Sequence, residues 1–242
     1  MKSASTGSST WQWARTVIGF KPEFLDFRRG IHIGNLEPHE RLTRILKSAL
    51  DTRFRQPFVT ERWGRGVYWR WIGFLPRANR EAMPLSNDVS FGCSKFFVEV
   101  DTSDERFRCG LQVERGFIKA PRDARACQLR PDWDWNRLVG GLTPRGVLFR
   151  ELKRLAGEGF EIKAGSWTDP LVFRKGTLPA AARLRAVLEG SPAREWCGVQ
   201  VCYALDEAAV RACSGVDLVD TMLAVFDEVT PAMNACLLVT LS

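Results

Sequence analysis

What the chain lacks narrows its function before any motif is considered. No apolar run approaches the roughly 20 residues of a bilayer-crossing helix, which excludes an integral helical membrane protein and predicts no membrane partner. The opening Met1–Thr10 is rich in Ser and Thr where a secretory leader has an apolar core, so it reads as a flexible tail. Histidine is scarce, with only His32 and His39, and no C-x-x-C pair occurs, so a zinc site with closely paired ligands is excluded. Seven cysteines are scattered at 93, 109, 127, 197, 202, 213 and 236, an odd number without a regular framework. They predict reduced, mostly buried thiols in a cytoplasmic protein. The G-x-G fragments Gly64–Gly66 and Gly157–Gly159 lack a third glycine, and no G-x-S-x-G occurs. No nucleotide loop, nucleophile elbow or cofactor is therefore expected.

Charge is present in quantity and unevenly spread. Residues 1–100 carry 16 Lys and Arg against 9 acids, and residues 101–200 carry 18 against 13. Residues 201–242 carry one Arg against six acids. Of the 35 cations, 27 are Arg, whose planar fork suits phosphates, carboxylates and guanine edges. A high-GC genome would give the same bias without a functional cause.

The hydrophobic pattern alternates between two periods. Leu42, Ile45, Leu46, Ala49 and Leu50 predict a helix opened by Pro38, with Arg41, Arg44 and Lys47 on its solvent side. Val67–Leu75 predicts a strand, and Pro76 to Asn87 predicts a loop. Phe96–Val100 and Arg106–Val113 predict a hairpin around a polar turn at Asp101–Glu105. Thr143-Pro144 is the expected start of a helix ending at Gly157, and Leu178-Pro179 of one ending at Gly190. Trp196–Ala204 reads as a strand, and Asp217 as the cap of a last helix that Pro231 kinks or restarts. No repeat or linker divides residues 11–242, which predict a single α+β domain: a twisted, mainly antiparallel sheet with helices packed on one face.

Several segments also resemble a widespread family of uncharacterised bacterial and fungal proteins, a conserved domain of unknown function. They are Gly19–Leu25, the hairpin ending Cys109-Gly-Leu-Gln112, Leu184–Leu188 before a strand, and the closing helix with Phe226 and Pro231. The family's Arg-Phe-Ser and Pro-Tyr-Lys signature is replaced here by Arg53-Phe54-Arg55. The resemblance implies an α+β fold and no assigned activity.

Two constellations carry chemistry. Between residues 41 and 80 stand Arg41, Arg44, Lys47, Arg53, Arg55, Arg62, Arg65, Arg70, Arg77 and Arg80, against only Asp51 and Glu61. Trp63, Tyr68, Trp69 and Trp71 are interleaved with them. Phosphates take such cations, and splayed bases stack on aromatic rings. Strand alternation would turn Trp69 and Trp71 together into the core, leaving Tyr68, Arg70 and the loop arginines in solvent. The second constellation is Asp132 with Glu161 and Lys163, similar to the Pro-Asp…Glu-x-Lys set of magnesium-dependent nucleases. There the carboxylates would hold Mg²⁺ and the lysine would position water. The leading expectation is a non-catalytic, basic nucleic-acid-binding module, such as a subunit of a bacterial ribonucleoprotein or defence assembly. The alternatives are a magnesium-dependent nuclease and a protein–protein adaptor with a basic face and an acidic C-terminal segment.

Overall fold

A computed structural model describes residues 19–82, 93–116 and 133–242 of the protein. The expected tail, Cys127 and Asp132 lie outside these residues. Pro22–Phe24 forms one turn of 3-10 helix and leads into two short strands, β1 (Leu25–Asp26) and β2 (Gly30–His32). In α1 (Leu42–Arg53) the apolar spacing brings Leu42, Leu46, Ala49 and Leu50 to the buried side. A hairpin follows, β3 (Phe58–Arg65) and β4 (Tyr68–Pro76), and then the short α2 (Arg77–Ala82). The predicted hairpin is β5 (Lys95–Asp101) with β6 (Arg106–Arg115). Two helices, α3 (Asp134–Gly141) and α4 (Val147–Gly157), precede β7 (Glu161–Ser166) and β8 (Leu171–Phe173). The chain closes with α5 (Ala181–Glu189), β9 (Cys197–Asp206), α6 (Glu207–Ala212) and the 20-residue α7 (Gly215–Asn234).

The strands form one antiparallel sheet in the order β1-β2-β4-β5-β6-β9-β7-β8, with β3 on the second edge of β4. The other edge of β4 is shared, by β2 at Tyr68–Trp69 and by β5 at Trp71–Phe74. Alternation places Phe96, Val98, Val100, Phe107, Cys109, Leu111 and Val113 in the core. Helix α7 crosses this face, where the Phe226 ring stacks on Phe96 at 4.8 Å. Buried residues of α1, α3, α4, α5 and α6 join the same cluster. The α+β fold with helices on one face of a mainly antiparallel sheet is therefore observed. Among the described residues no helix is long and apolar enough to cross a membrane.

Several local expectations are corrected. The helical piece around Phe24 and Phe27 shrinks to one 3-10 turn, after which Leu25 pairs with Ile31. Residues 77–82, expected in a loop, are helical, because the turn-forming Asn79 is used for tertiary bonding. Its Oδ1 accepts from the amides of Leu238 and Val239, and its Nδ2 donates to Asp134. Thr143 closes a turn by accepting from the Gly146 amide, so α4 starts three residues later than its Thr-Pro signal suggests. Ser214, not Asp217, caps α7; Asp217 answers from the third helical position in a capping box. Helix α7 runs through Pro231 without a restart.

Candidate nucleic-acid interface

The β3–β4 hairpin turns at Gly66-Val67, with Gly66 in the left-handed region at φ 59°. Its ladder pairs Trp63 with Trp71 and then Gly64 with Trp69, so Arg70 is left as an extra residue in a β-bulge. The bulge is packed tightly: a Cβ on Gly64 would lie 2.4 Å from the Trp69 Cα, so no larger residue fits. One inserted residue reverses the facing of everything beyond it. Trp69 and Trp71 therefore point to opposite sides, which corrects the expectation of a shared face. Trp69 packs on the main core with Ile31 as its neighbour, and Arg62 stacks over its ring at 3.8 Å. Trp71 turns to the opposite face of the sheet, where its Nε1 donates to Gln112.

On that outer face the hairpin tip gathers arginines and aromatic rings. Trp63 is 64% exposed, and the Arg70 guanidinium lies 5.9 Å from its ring. Arg65 pairs with Tyr68 across the turn, and His32 of β2 pairs with Tyr68 on its other edge. The half-buried Tyr68 ring already holds two partners, Arg29 at 4.2 Å and a stacked His32 at 5.0 Å. Among the described residues Arg62, Arg65 and Arg70 take part in no ion pair. They remain free to meet an anion. Arg29 and His32 were not legible in sequence as site residues, since only the three-residue β2 carries them to Tyr68.

The other cations of the basic stretch do not join this tip. Arg41 donates to the Leu36 carbonyl, Lys47 pairs with Asp51 at 2.5 Å, and Arg53 pairs with Asp227 at 3.3 Å. Arg44 is exposed on α1, and Arg55 follows that helix in the left-handed region. Arg77 and Arg80 lie past the far end of β4, eight residues from Tyr68, a distance of about 26 Å along an extended strand. The basic stretch is thus three separate surfaces, and the tip is the one with exposed rings.

The second constellation lies further along the same outer face. Glu161 and Lys163 do share a side of β7, but both are held in an ion network. Glu161 receives Arg174 at 2.6 Å and lies 3.7 Å from Arg108, while Lys163 lies 3.7 Å from Asp101. Arg108, itself buried, also binds Asp101 and Asp104. Burial pushes the Glu99 carboxyl up, against the opposing charge of Lys163. A row further on, the fully buried Lys95 ammonium sits between Glu114 at 2.5 Å and Glu61 at 3.1 Å. Burial lowers its pKa, but the two carboxylates outweigh that and hold it above the usual lysine value. Asp132 lies outside the described residues, and among the described ones no three His, Cys, Asp or Glu converge as metal ligands. As arranged, each cation of the network faces carboxylates from neighbouring strands and ties those strands together.

Burial raises the Asp134 carboxyl to about 6, although the Ser94 amide and the Asn79 side chain donate to it. The six described cysteines are all free, and burial pushes the Cys93 and Cys202 thiols up to about 12. Such thiols are protonated and unreactive at neutral pH. No protein-family model matches the chain, and no curated protein matches it either.

Proposed function

We propose that the protein binds nucleic acid without cleaving it, through the outer face of the β3–β4 tip. The observation that carries this reading is the placement of Arg70 beside the exposed Trp63, with the exposed Arg65 two residues further along β3. Guanidinium forks supply phosphate contacts, and an exposed indole supplies a stacking surface. Arg62 pairs with the core residue Ile72 and stacks on the core-side Trp69, so it faces away from this surface. The bulge matters because it brings Arg70 to the Trp63 side instead of leaving it in a regular ladder. The Glu161 and Lys163 pair contributes no cleavage chemistry to this reading, because arginines already occupy the Glu161 carboxylate.

The test is direct binding of labelled oligonucleotides at low salt, measured by fluorescence anisotropy. The wild type is expected to bind, and the Arg65→Ala/Arg70→Ala variant to bind at least about tenfold more weakly. No binding by the wild type, or equal binding by the variant, overturns the reading.

A further inference from the structure

We infer that the tip takes single-stranded rather than duplex nucleic acid, with one unpaired base stacked on Trp63; this rests on the nucleic-acid reading above. The argument is one of width and of free rings. A two-stranded β-ribbon can enter the B-DNA major groove, which is about 12 Å wide. The β3–β4 tip is not such a ribbon. At the level of Trp69 the register places Gly64, Trp69, Ile31 and Leu25 side by side, on four adjacent strands. Four strands about 4.8 Å apart measure about 14 Å between the outer backbones alone. With side chains added, this end of the sheet is too broad to enter the groove. The basic helix α1 offers no substitute, since Lys47 and Arg53 are paired with acids, which leaves the exposed Arg44.

A broad sheet end with an exposed ring instead suits a strand laid across it. Single strands expose base faces, and a duplex hides them in its stack. Of the tip aromatics, Tyr68 has its ring occupied by Arg29 and His32, and Trp69 carries Arg62. Trp71 is half-buried and bonded to Gln112. Trp63, at 64% exposure, is the ring left open to a base, with Arg70 beside it and the exposed Arg65 two residues along β3 for the adjoining phosphates. The stacking residue is thus Trp63, in place of the Tyr68 that strand alternation suggested.

The experiment compares labelled oligouridylate, oligodeoxythymidylate and a duplex of equal length on the full chain at one salt concentration. The single strands are expected to bind at least about tenfold more tightly than the duplex. Trp63→Ala is expected to lower single-strand affinity about tenfold with the slope against salt unchanged, since stacking releases no counterions. Trp63→Phe keeps a ring and is expected to retain most of the affinity. Duplex bound as tightly as single strands, or Trp63→Ala without effect, overturns this inference while the nucleic-acid reading stands. Binding to none of the three overturns both. Trp63 is an exposed edge-strand residue, and the thermal transition of each variant confirms folding before affinities are compared.

Discussion

The hairpin tip and the ion network lie on one face of one sheet, and they use the same residue types in opposite ways. In the network, Lys95, Arg108 and Glu161 are buried and each faces partners of opposite sign. At the tip, Arg65 and Arg70 are exposed and face aromatic rings or solvent. A buried charge without its partner is costly, so the network's cations are committed to the fold. An exposed cation beside a ring costs little to hold and stays available. Position in a charge-rich sequence therefore says less about function than whether each charge is already paired.

The contrast breaks first in stability. Replacing Glu61 and Glu114 together by Gln strands the buried Lys95 ammonium and is expected to cost about 3–5 kcal/mol, measured by urea unfolding. The triple variant that adds Lys95→Met is expected to recover most of that loss, because no buried charge is left unpaired. The Arg65→Ala/Arg70→Ala variant, by contrast, is expected to stay within about 0.5 kcal/mol of the wild type. Equal destabilisation at both sites would erase the distinction.

A smaller effect is expected in the pH dependence of stability. Glu99 and Asp134 both have folded-state carboxyls raised by burial above their values of 4.5 and 3.8. The folded protein takes up these protons before the unfolded chain does, so each group's contribution to stability rises as pH falls. For Asp134 the window runs from about 6 down to 3.8. Asp134→Asn is expected to remove that rise and to raise stability at pH above the window, provided the amide oxygen still accepts from Ser94. Tip variants are expected to leave the profile unchanged. The smallest effect is chemical: Cys93 and Cys202 should react slowly with a thiol reagent in the native protein, and all seven cysteines of the chain should react once it is denatured.

The parts of this contrast differ in how far sequence reveals them. The β5–β6 hairpin was legible because Phe96, Val98 and Val100 alternate without interruption and the turn at residues 101–105 is polar. The shared side of Glu161 and Lys163 was legible for the same reason. Their arginine partners were not, since Arg108 and Arg174 come from separate strands and the segment beyond β8. The cations of the tip were legible as residue types, but their grouping was not. A bulge at Arg70 is a property of the pairing between β3 and β4, and nothing in either strand alone announces it. Likewise β1 and β2 are too short to show a period, yet they supply Arg29 and His32 and give the tip its width.

The most direct test of the central claim compares two pairs of arginines that carry the same charge in different places. Binding of oligouridylate is measured against salt for the wild type, for Arg65→Ala/Arg70→Ala at the tip and for Arg44→Ala/Arg77→Ala elsewhere. On a single strand each lost phosphate contact flattens the slope of log affinity against log salt by about 0.7. The tip variant is expected to flatten it by about 1.4, and the distant pair to leave it unchanged. Equal flattening by both pairs would show binding to diffuse positive charge and contradict a site at the β3–β4 tip.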